Sequence, residues 1–389
     1  MALGIGACRR AVQPEQWSVT LQPLATPVAG MAIEPQVSVS SRGVLLSWVE
    51  QAGKTATLKF AERTGSGWSP ARTIVSGDDW FLSYADLPMV LRLSDGTLVA
   101  NWLKTTNAQI EAYDLPITYS RDDGKTWAAP IYPHHDKTET MHGFASFVEM
   151  PDGGVGVAWL DGRDIATSTD FAGGNMGIRF ATFDKQFKQT SETQIDAKVC
   201  ECCSTSAVAT RDGVLTAYRD RDDKEIRDIH VSRLESGKWS PSVAVHDDKW
   251  EIYACPVNGP MLSARGRDVA AAWFTAKNDQ GQAWAAFSND SGGTWSAPIR
   301  LDDGESTGRV DIELLDDGTA VAGYVEFANQ RSQFRIRRIS RDGAKSPPIT
   351  VGQDGGRSSG FPRIARNGSE LVFAWTEGET IKTAVAALP

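Results

Sequence analysis

The sequence predicts an all-β protein, a seven-bladed β-propeller. A hairpin turn between two apolar runs recurs along the whole chain. Asp-Gly and Asn-Gly are strong hairpin signals, because both central residues of a type I′ turn adopt positive φ. The seven turns are Arg42-Gly43, Asp95-Gly96, Asp152-Gly153, Asp212-Gly213, Arg267-Asp268, Asp317-Gly318 and Asn367-Gly368.

An aromatic residue follows each of these turns, near the end of the second apolar run. The aromatics recur about 50–60 residues apart, a period in the range of propeller blades, and no helical periodicity competes with it. They are Trp48, Trp102, Trp159, Tyr218, Trp273, Tyr324 and Trp375.

The two ends of the chain are expected to share one blade. The last repeat, residues 356–389, has sequence for only three strands, and residues 16–21 have the pattern of the missing outer strand. Joining the ends closes the ring and leaves no sheet edge exposed. We therefore expect a tail at residues 1–14 and one propeller over residues 15–389. A six-bladed ring is the alternative.

Composition and charge exclude two classes of protein. The net charge is −9, whereas a nucleic-acid-binding surface has to be basic. No apolar run approaches the roughly 20 residues that a membrane-spanning helix needs. The content of 41% hydrophobic and 23% charged residues is ordinary for a globular protein, and we expect a monomer.

The N-terminus contains Ile5-Gly6-Ala7-Cys8, which resembles the lipobox of bacterial lipoproteins. A lipid anchor at Cys8 would place the protein in the periplasm or cell envelope, where other cysteines can oxidise. The alternative is a tail in which Cys8 has no such role.

The second half of the repeat carries a family resemblance. Residues 120–127 (Ser-Arg-Asp-Asp-Gly-Lys-Thr-Trp) and 288–295 (Ser-Asn-Asp-Ser-Gly-Gly-Thr-Trp) form one motif, and residues 340–343 are a looser copy. Asp and Ser side chains can hydrogen-bond the turn backbone, and Gly supplies positive φ. The motif resembles the Asp box, or BNR repeat, of sialidase-like propellers. In those proteins it lies on the face away from the active site.

The resemblance implies a glycan site on the opposite face. Sialidases use three Arg to bind the substrate carboxylate, an Asp as acid/base, and a Tyr activated by Glu as nucleophile. A planar guanidinium suits this role because it pairs bidentately with a carboxylate. The candidates in the loops of that face are Arg163, Arg219, Arg221, Arg227 and Arg309 for substrate binding and Asp164, Asp220 and Glu225 for catalysis.

This chain departs from the sialidase pattern in two respects. The family's Arg-Ile-Pro motif near the first blade is replaced by residues 34–37 (Glu-Pro-Gln-Val), and residues 361–364 resemble it only superficially. No Tyr matches the nucleophile, since Tyr218 and Tyr324 occupy the repeated structural position. The Arg-Asp run at residues 219–228 is also open to a second interpretation, a solvated loop of salt bridges that neutralise one another.

The cysteines and histidines form a second cluster of candidates. Cys200, Cys202 and Cys203 lie in the loop that leads into the fourth blade, and Cys255 lies in the loop that leads into the fifth. Two outcomes remain open: a disulfide between Cys255 and one of the other three, or a copper or zinc site with His142 as the nearest imidazole.

Three functions follow as alternatives. The first is an exported propeller that binds or hydrolyses a glycan, or another carboxylate-bearing ligand, on its loop-bearing face. The second is a non-catalytic metal-binding propeller, which the clustered Cys and His residues favour. The third is a protein-interaction module, because propellers often bind partners on one face.

Overall fold

A computed structural model of the chain describes residues 14–166, 174–353 and 360–388. The described residues form a ring of seven antiparallel sheets, which confirms the predicted seven-bladed propeller. Helical structure among them is limited to the 3-10 turns Pro14–Gln16 and Lys277–Asp279 and the short helix α1 (Arg163–Ala166). None of the helices described is long or apolar enough to cross a membrane.

The blades follow one another along the chain, and each runs outwards from the central channel. Blade one consists of β2 (Ala32–Ser40), β3 (Gly43–Ala52), β4 (Thr55–Glu62) and β5 (Arg72–Gly77). Blade two consists of β6 (Val90–Arg92), β7 (Leu98–Asn101) and β10 (Ile117–Ser120). Blade three consists of β11 (His142–Glu149), β12 (Val155–Asp161), β13 (Gly177–Phe183) and β14 (Gln189–Asp196). A hairpin, β8 (Lys104–Asn107) with β9 (Ala112–Asp114), is inserted in blade two.

The remaining blades have the same arrangement. They consist of β15 (Ser206–Ala209), β16 (Gly213–Arg219), β17 (Ile229–Glu235), β18 (Lys238–Trp239) and β19 (Val243–Ala244); of β20 (Met261–Arg265), β21 (Asp268–Thr275), β22 (Gln282–Ser288) and β23 (Ile299–Arg300); of β24 (Glu305–Leu314), β25 (Ala320–Ala328), β26 (Arg331–Ile339) and β27 (Ile349–Gln353); and of β28 (Arg363–Asn367), β29 (Glu370–Glu377), β30 (Thr380–Ala387) and β1 (Gln22–Leu24).

The ring closes through blade seven, but the closing strand lies later than the sequence pattern predicts. Strand β1 (Gln22–Leu24) pairs with β30, whereas the prediction placed the strand at residues 16–21. Trp17 is instead only 2% exposed and packs in the core that contains Trp375. The alternation around Trp17 reflects burial of that side chain against blade seven, and the hydrogen-bonded ladder begins after it.

The repeated aromatics lie where the second strand of each blade ends, and all seven are buried. The two complete Asp-containing turns have the expected hydrogen bonds. Asp122 accepts from the backbone N–H of Thr126 at 2.9 Å, and Asp290 accepts from that of Thr294 at 2.8 Å. Local hydrogen bonds of this kind fix a turn independently of its neighbours.

Bulges in the innermost strands shape the mouth of the channel on the loop-bearing face. The pairing of β2, β11 and β24 with the second strand of the blade shifts at these bulges. In each bulge one non-glycine residue has positive φ: Glu34 (60°), Phe144 (51°) and Arg309 (51°). The shared register puts these three residues at equivalent positions of blades one, three and six, around the mouth of the channel.

Candidate functional site

Glu34 is the most unusual residue at the mouth. Its side chain is 2% exposed, and neither carboxylate oxygen makes a hydrogen bond among the described residues. Burial, together with the nearby charge of Asp86, raises the pKa of Glu34 well above its ordinary value, although the backbone of Ser83 opposes the shift. A buried carboxyl beside a second carboxyl is costly when ionised, so the surroundings of Glu34 favour its protonated form.

Asp86 lies beside Glu34 and accepts hydrogen bonds from blade three and from the hairpin inserted in blade two. It accepts a 2.7 Å hydrogen bond from the backbone N–H of Phe144 and a 3.2 Å hydrogen bond from the hydroxyl of Tyr113. Burial raises the pKa of Asp86 to about 7, against the effect of these two hydrogen bonds. Gly143 is required here, because a Cβ at that position would lie 2.0 Å from a carboxylate oxygen of Asp86.

Tyr113 has the opposite electrostatic character to an activated nucleophile. Its ring is 1% exposed, and burial together with the charge of Asp86 raises the pKa of its hydroxyl well above the ordinary value. The hydroxyl therefore stays protonated and donates to Asp86. A phenolate at this position would be buried and would be repelled by the Asp86 carboxylate.

Two arginines and a phenylalanine contribute a second group at the mouth. The guanidinium carbons of Arg309 and Arg363 lie 5.9 and 5.5 Å from the ring centre of Phe361. Arg363 also donates to the side chain of Gln36 at 2.8 Å, which links blade seven to blade one. These contacts combine cationic and aromatic groups at one end of the channel, a combination suited to a ligand with both a carboxylate and a flat apolar face.

The channel behind the mouth is hollow. One cavity of about 160 Å³ is lined by Phe144, Arg363 and Ala85, the chain neighbour of Asp86, among others. A second cavity of about 500 Å³ continues past Arg363 to Glu149 and Glu313 at the far end. The groups at the mouth therefore border a space that admits small polar molecules.

Two arginines of the Arg-Asp run in blade four are neutralised by nearby glutamates. Arg221 pairs with Glu225 at 2.7 Å and with Glu201, and Arg227 pairs with Glu225 at 2.8 Å and with Glu201 at 3.0 Å. The hydrogen bonds from Arg221 and Arg227 lower the pKa of Glu225. Glu225 is thus held ionised, which is the wrong state for the catalytic acid that the sequence suggested, and the salt-bridge interpretation describes this loop.

Arg219 has a structural role instead of the predicted substrate-binding one. It is 1% exposed, and its guanidinium donates to the backbone carbonyls of Asn258, Arg227 and Phe274 at 2.6–3.0 Å. The same group lies 4.9 Å from the ring centre of Trp250. With four hydrogen bonds already made to the protein, little of the guanidinium remains for a carboxylate ligand.

The other predicted residues of this group are dispersed over several loops. Asp164 is exposed on α1, and Arg163 beside it pairs with Asp161 at 2.6 Å and with Glu192 at 2.9 Å. Asp220 lies 3.7 Å from His230, and burial raises its pKa despite that neighbour. The raised pKa of Asp220 is the direction of shift that a general acid needs, in contrast to the lowered pKa of Glu225. Arg309, as described above, lies at the mouth.

His142 belongs to a different cluster from the cysteines. Its ring stacks on that of His134, with centres 3.8 Å apart and planes at 7°, and its Nε2 lies 3.2 Å from Asp136. Asp114, His134 and His142 offer donor atoms within 4.8 Å of one another. Two parallel rings at this separation cannot both direct an in-plane lone pair at one ion, so the stack disfavours a shared metal. The predicted metal site of His142 with the cysteines is not assembled.

The cysteines form the predicted disulfide. Cys202 is bonded to Cys255, with a Cα–Cα distance of 6.1 Å, and Cys200 and Cys203 are free and buried. Burial would raise the pKa of the Cys200 thiol, but the hydrogen bond with Cys203 and the charges of Arg219 and Arg227 lower it to about 7. The pKa of Cys203 is raised well above its ordinary value by burial and by Cys200.

Glu34, Asp86 and Tyr113 are not among the catalytic residues predicted from the sequence. The available signal was an acidic residue close to the start of the innermost strand of blades one and two. The Arg-rich loop of blade four is the more conspicuous feature of the sequence, and it favoured a prediction away from the channel.

Solved structures with this architecture include several enzymes that act on carbohydrates. An α-L-arabinofuranosidase of Fusarium graminearum in complex with arabinobiose is 16% identical, with a TM-score of 0.54 over 80% of this chain and 95% of that one. The polysaccharide lyase Uly1 is 9% identical, with a TM-score of 0.52 over 92% and 90%. A Hadza microbial sialidase is 15% identical, with a TM-score of 0.50 over 89% and 77%.

At these identities the similarity shows the fold alone, a β-propeller that this chain shares with these enzymes. No protein-family model matches the chain. No curated protein sequence matches it either.

Proposed function

We propose that the protein is a glycoside hydrolase that acts on an acidic glycan at the mouth of its central channel. The observation that carries the proposal is the pair of buried carboxyl groups, Glu34 and Asp86, on the loop-bearing face. Burial raises the pKa of both groups, and the charge of Asp86 raises that of Glu34 further, so the pair favours one protonated and one ionised member, an acid and a base.

The roles follow from the protonation states. Above its pKa of about 7, Asp86 is ionised, and its charge together with the burial of Glu34 favours the neutral form of Glu34. Glu34 is then the general acid that protonates the leaving oxygen, and Asp86 is the base or nucleophile. This is the division between two carboxyl groups that glycoside hydrolysis requires.

The rest of the mouth supports a ligand with a carboxylate. Arg309 and Arg363 place guanidinium groups on blades six and seven near the ring of Phe361, and the Asp311 carboxylate acts on Arg363. A sugar acid presents both an anionic group and an apolar ring face. Among the similar folds, the arabinofuranosidase is solved with arabinobiose and Uly1 is a polysaccharide lyase, which supports a glycan as the ligand.

The sialidase mechanism itself is disfavoured, because Tyr113, the tyrosine that donates to Asp86 at the mouth, has its pKa raised. We also propose that the protein is exported, since a disulfide between Cys202 and Cys255 suits an oxidising compartment. The lipobox-like Cys8 lies outside the described residues, so an anchor there stays a proposal.

The proposal is tested by a substrate screen. The panel contains an aryl sialoside, arabino-oligosaccharides and uronate-containing polysaccharides, and new reducing ends are measured together with absorbance from unsaturated lyase products. We expect new reducing ends without unsaturated products from at least one acidic substrate. We further expect Asp86→Asn to lower the turnover of that substrate by about 100-fold, the usual contribution of a general base.

Asp220→Asn is the matched control, because Asp220 is also a partly buried acid with a raised pKa but lies on another loop. It should keep turnover within a factor of about two. Loss of activity in Asp220→Asn with full activity in Asp86→Asn would move the site to blade four. Unsaturated products would instead replace hydrolysis with elimination.

A further inference from the structure

The four cysteines at the start of blades four and five are placed as a group. The sulfur of Cys200 lies 3.0 Å from that of Cys203 and 3.8 Å from that of Cys202. Cys202 is in turn bonded to Cys255. Three sulfur atoms therefore lie within 4.8 Å of one another, and one of them belongs to an existing disulfide.

The surroundings favour a nucleophilic sulfur at Cys200. Arg227 donates to its sulfur at 3.5 Å, and Glu201 and Glu225 fix the orientation of that guanidinium. A cation beside a cysteine favours the thiolate, which is the form that attacks a disulfide. Cys200 and Cys203 are each 1% exposed. The disulfide sulfur that Cys200 can attack is therefore one within the protein, that of Cys202.

The disulfide connects this buried pair with the surface. Cys255 is exposed, Cys202 is half-buried, and the neighbouring Tyr253 is 78% exposed. A thiol in solution can therefore reach the outer bond, whereas the inner pair can be reached only through Cys202. The arrangement has an outer sulfur, a connecting sulfur and an inner pair.

We propose that the four cysteines form a thiol–disulfide exchange centre that moves its disulfide between the outer pair, Cys202–Cys255, and the inner pair, Cys200–Cys203. In the first step the Cys200 thiolate attacks the sulfur of Cys202. A Cys200–Cys202 bond forms, the Cys202–Cys255 bond breaks, and Cys255 leaves as a thiolate.

In the second step Cys203 loses its proton and attacks Cys200. A Cys200–Cys203 bond forms and Cys202 leaves as a thiolate. The two protons released by Cys200 and Cys203 are taken up by Cys202 and Cys255. Two thiols are oxidised and one disulfide is reduced, so the exchange needs no external oxidant. The exposed dithiol that results can then reduce a small-molecule or protein disulfide.

Tryptic digestion distinguishes the two states. Cys200, Cys202 and Cys203 fall in the peptide of residues 199–211, and Cys255 falls in that of residues 250–265. The outer disulfide joins the two peptides, while the inner disulfide leaves them separate. The experiment uses the full chain with Cys8→Ser, incubated with mixtures of reduced and oxidised glutathione, quenched by alkylation, and analysed by mass spectrometry without reduction.

We expect both states, with the separate peptides each carrying one alkyl group. Cys203→Ser should stop the exchange at the first step and accumulate the Cys200–Cys202 bond. Cys200→Ser should lower the rate of appearance of the 199–211 peptide with an internal disulfide at least 100-fold. Circular dichroism checks that both variants are folded.

The proposal is overturned if the joined peptides alone are found at every glutathione ratio, with Cys200 and Cys203 alkylated only after denaturation. It is equally overturned if Cys200→Ser exchanges as fast as the parent chain. Stoichiometric zinc or copper in the purified protein, released when Cys200 or Cys203 is replaced, would assign the sulfurs to a metal instead.

Discussion

Replacing Trp17 tests whether the N-terminal segment holds the propeller ring together. The side chain is 2% exposed and packs with Phe334, Phe373 and Trp375 in the core of blades six and seven. Replacement of a buried Trp by Ala costs about 3–5 kcal/mol. With an unfolding entropy of about 2.1 cal/mol/K per residue, or about 0.8 kcal/mol/K for the 389 residues, the midpoint Tm should fall by about 4–6 °C.

Thermal unfolding of Trp17→Ala, followed by far-ultraviolet circular dichroism, measures this shift. Tyr253→Ala is the matched control, because Tyr253 is also aromatic but is 78% exposed, and its replacement should change stability by less than about 0.5 kcal/mol. Deletion of residues 1–25 should lower Tm further, since it also removes the pairing of β1 with β30. A Trp17→Ala protein that melts within about 1 °C of the control would refute the closure described here.

Three further predictions concern single residues. Between pH 4 and 7 the folded chain holds a proton on Asp86 that the unfolded chain releases. The free energy of unfolding should therefore decrease by up to about 4 kcal/mol as the pH rises through this range. Urea unfolding of Asp86→Asn should lack this part of the decrease. Arg219→Ala leaves three backbone carbonyls without their donor and should cost about 3 kcal/mol or more in the same assay, whereas Arg219→Lys should cost less. Release of sialic acid from an aryl sialoside should be weak or absent, and robust release would show that Tyr113 or another group serves as nucleophile.

The fold was predictable because each blade is a local unit. Hairpin turns and buried aromatics depend on short-range pattern, so seven repeats of that pattern specify seven blades. The closing strand was misplaced by several residues because an alternating run can either pair as a strand or pack one large side chain. Trp17 does the second, and only the position of blade seven decides between the two.

The candidate site was less predictable. Charge density pointed to Arg219, Arg221 and Arg227, but the sequence cannot show that Glu201 and Glu225 pair with two of them, or that carbonyls hold the third. The bulges in the innermost strands of blades one, three and six, at the mouth of the channel, depend on the register between strands. Sequence pattern specifies that register poorly. The disulfide was predictable because its two cysteines begin neighbouring blades.

The measurement that tests the proposed chemistry most directly compares Glu34→Gln with Glu225→Gln on the acidic substrate found in the screen. Glutamine has the shape of the protonated Glu34, so the fold is retained, but it cannot donate the proton to the leaving group. We predict a loss of turnover of about 100-fold or more for Glu34→Gln, and a change of less than about two-fold for Glu225→Gln, whose carboxylate only pairs with arginines. Full turnover in Glu34→Gln, or an equal loss in both variants, would contradict the assignment of catalysis to the mouth of the channel.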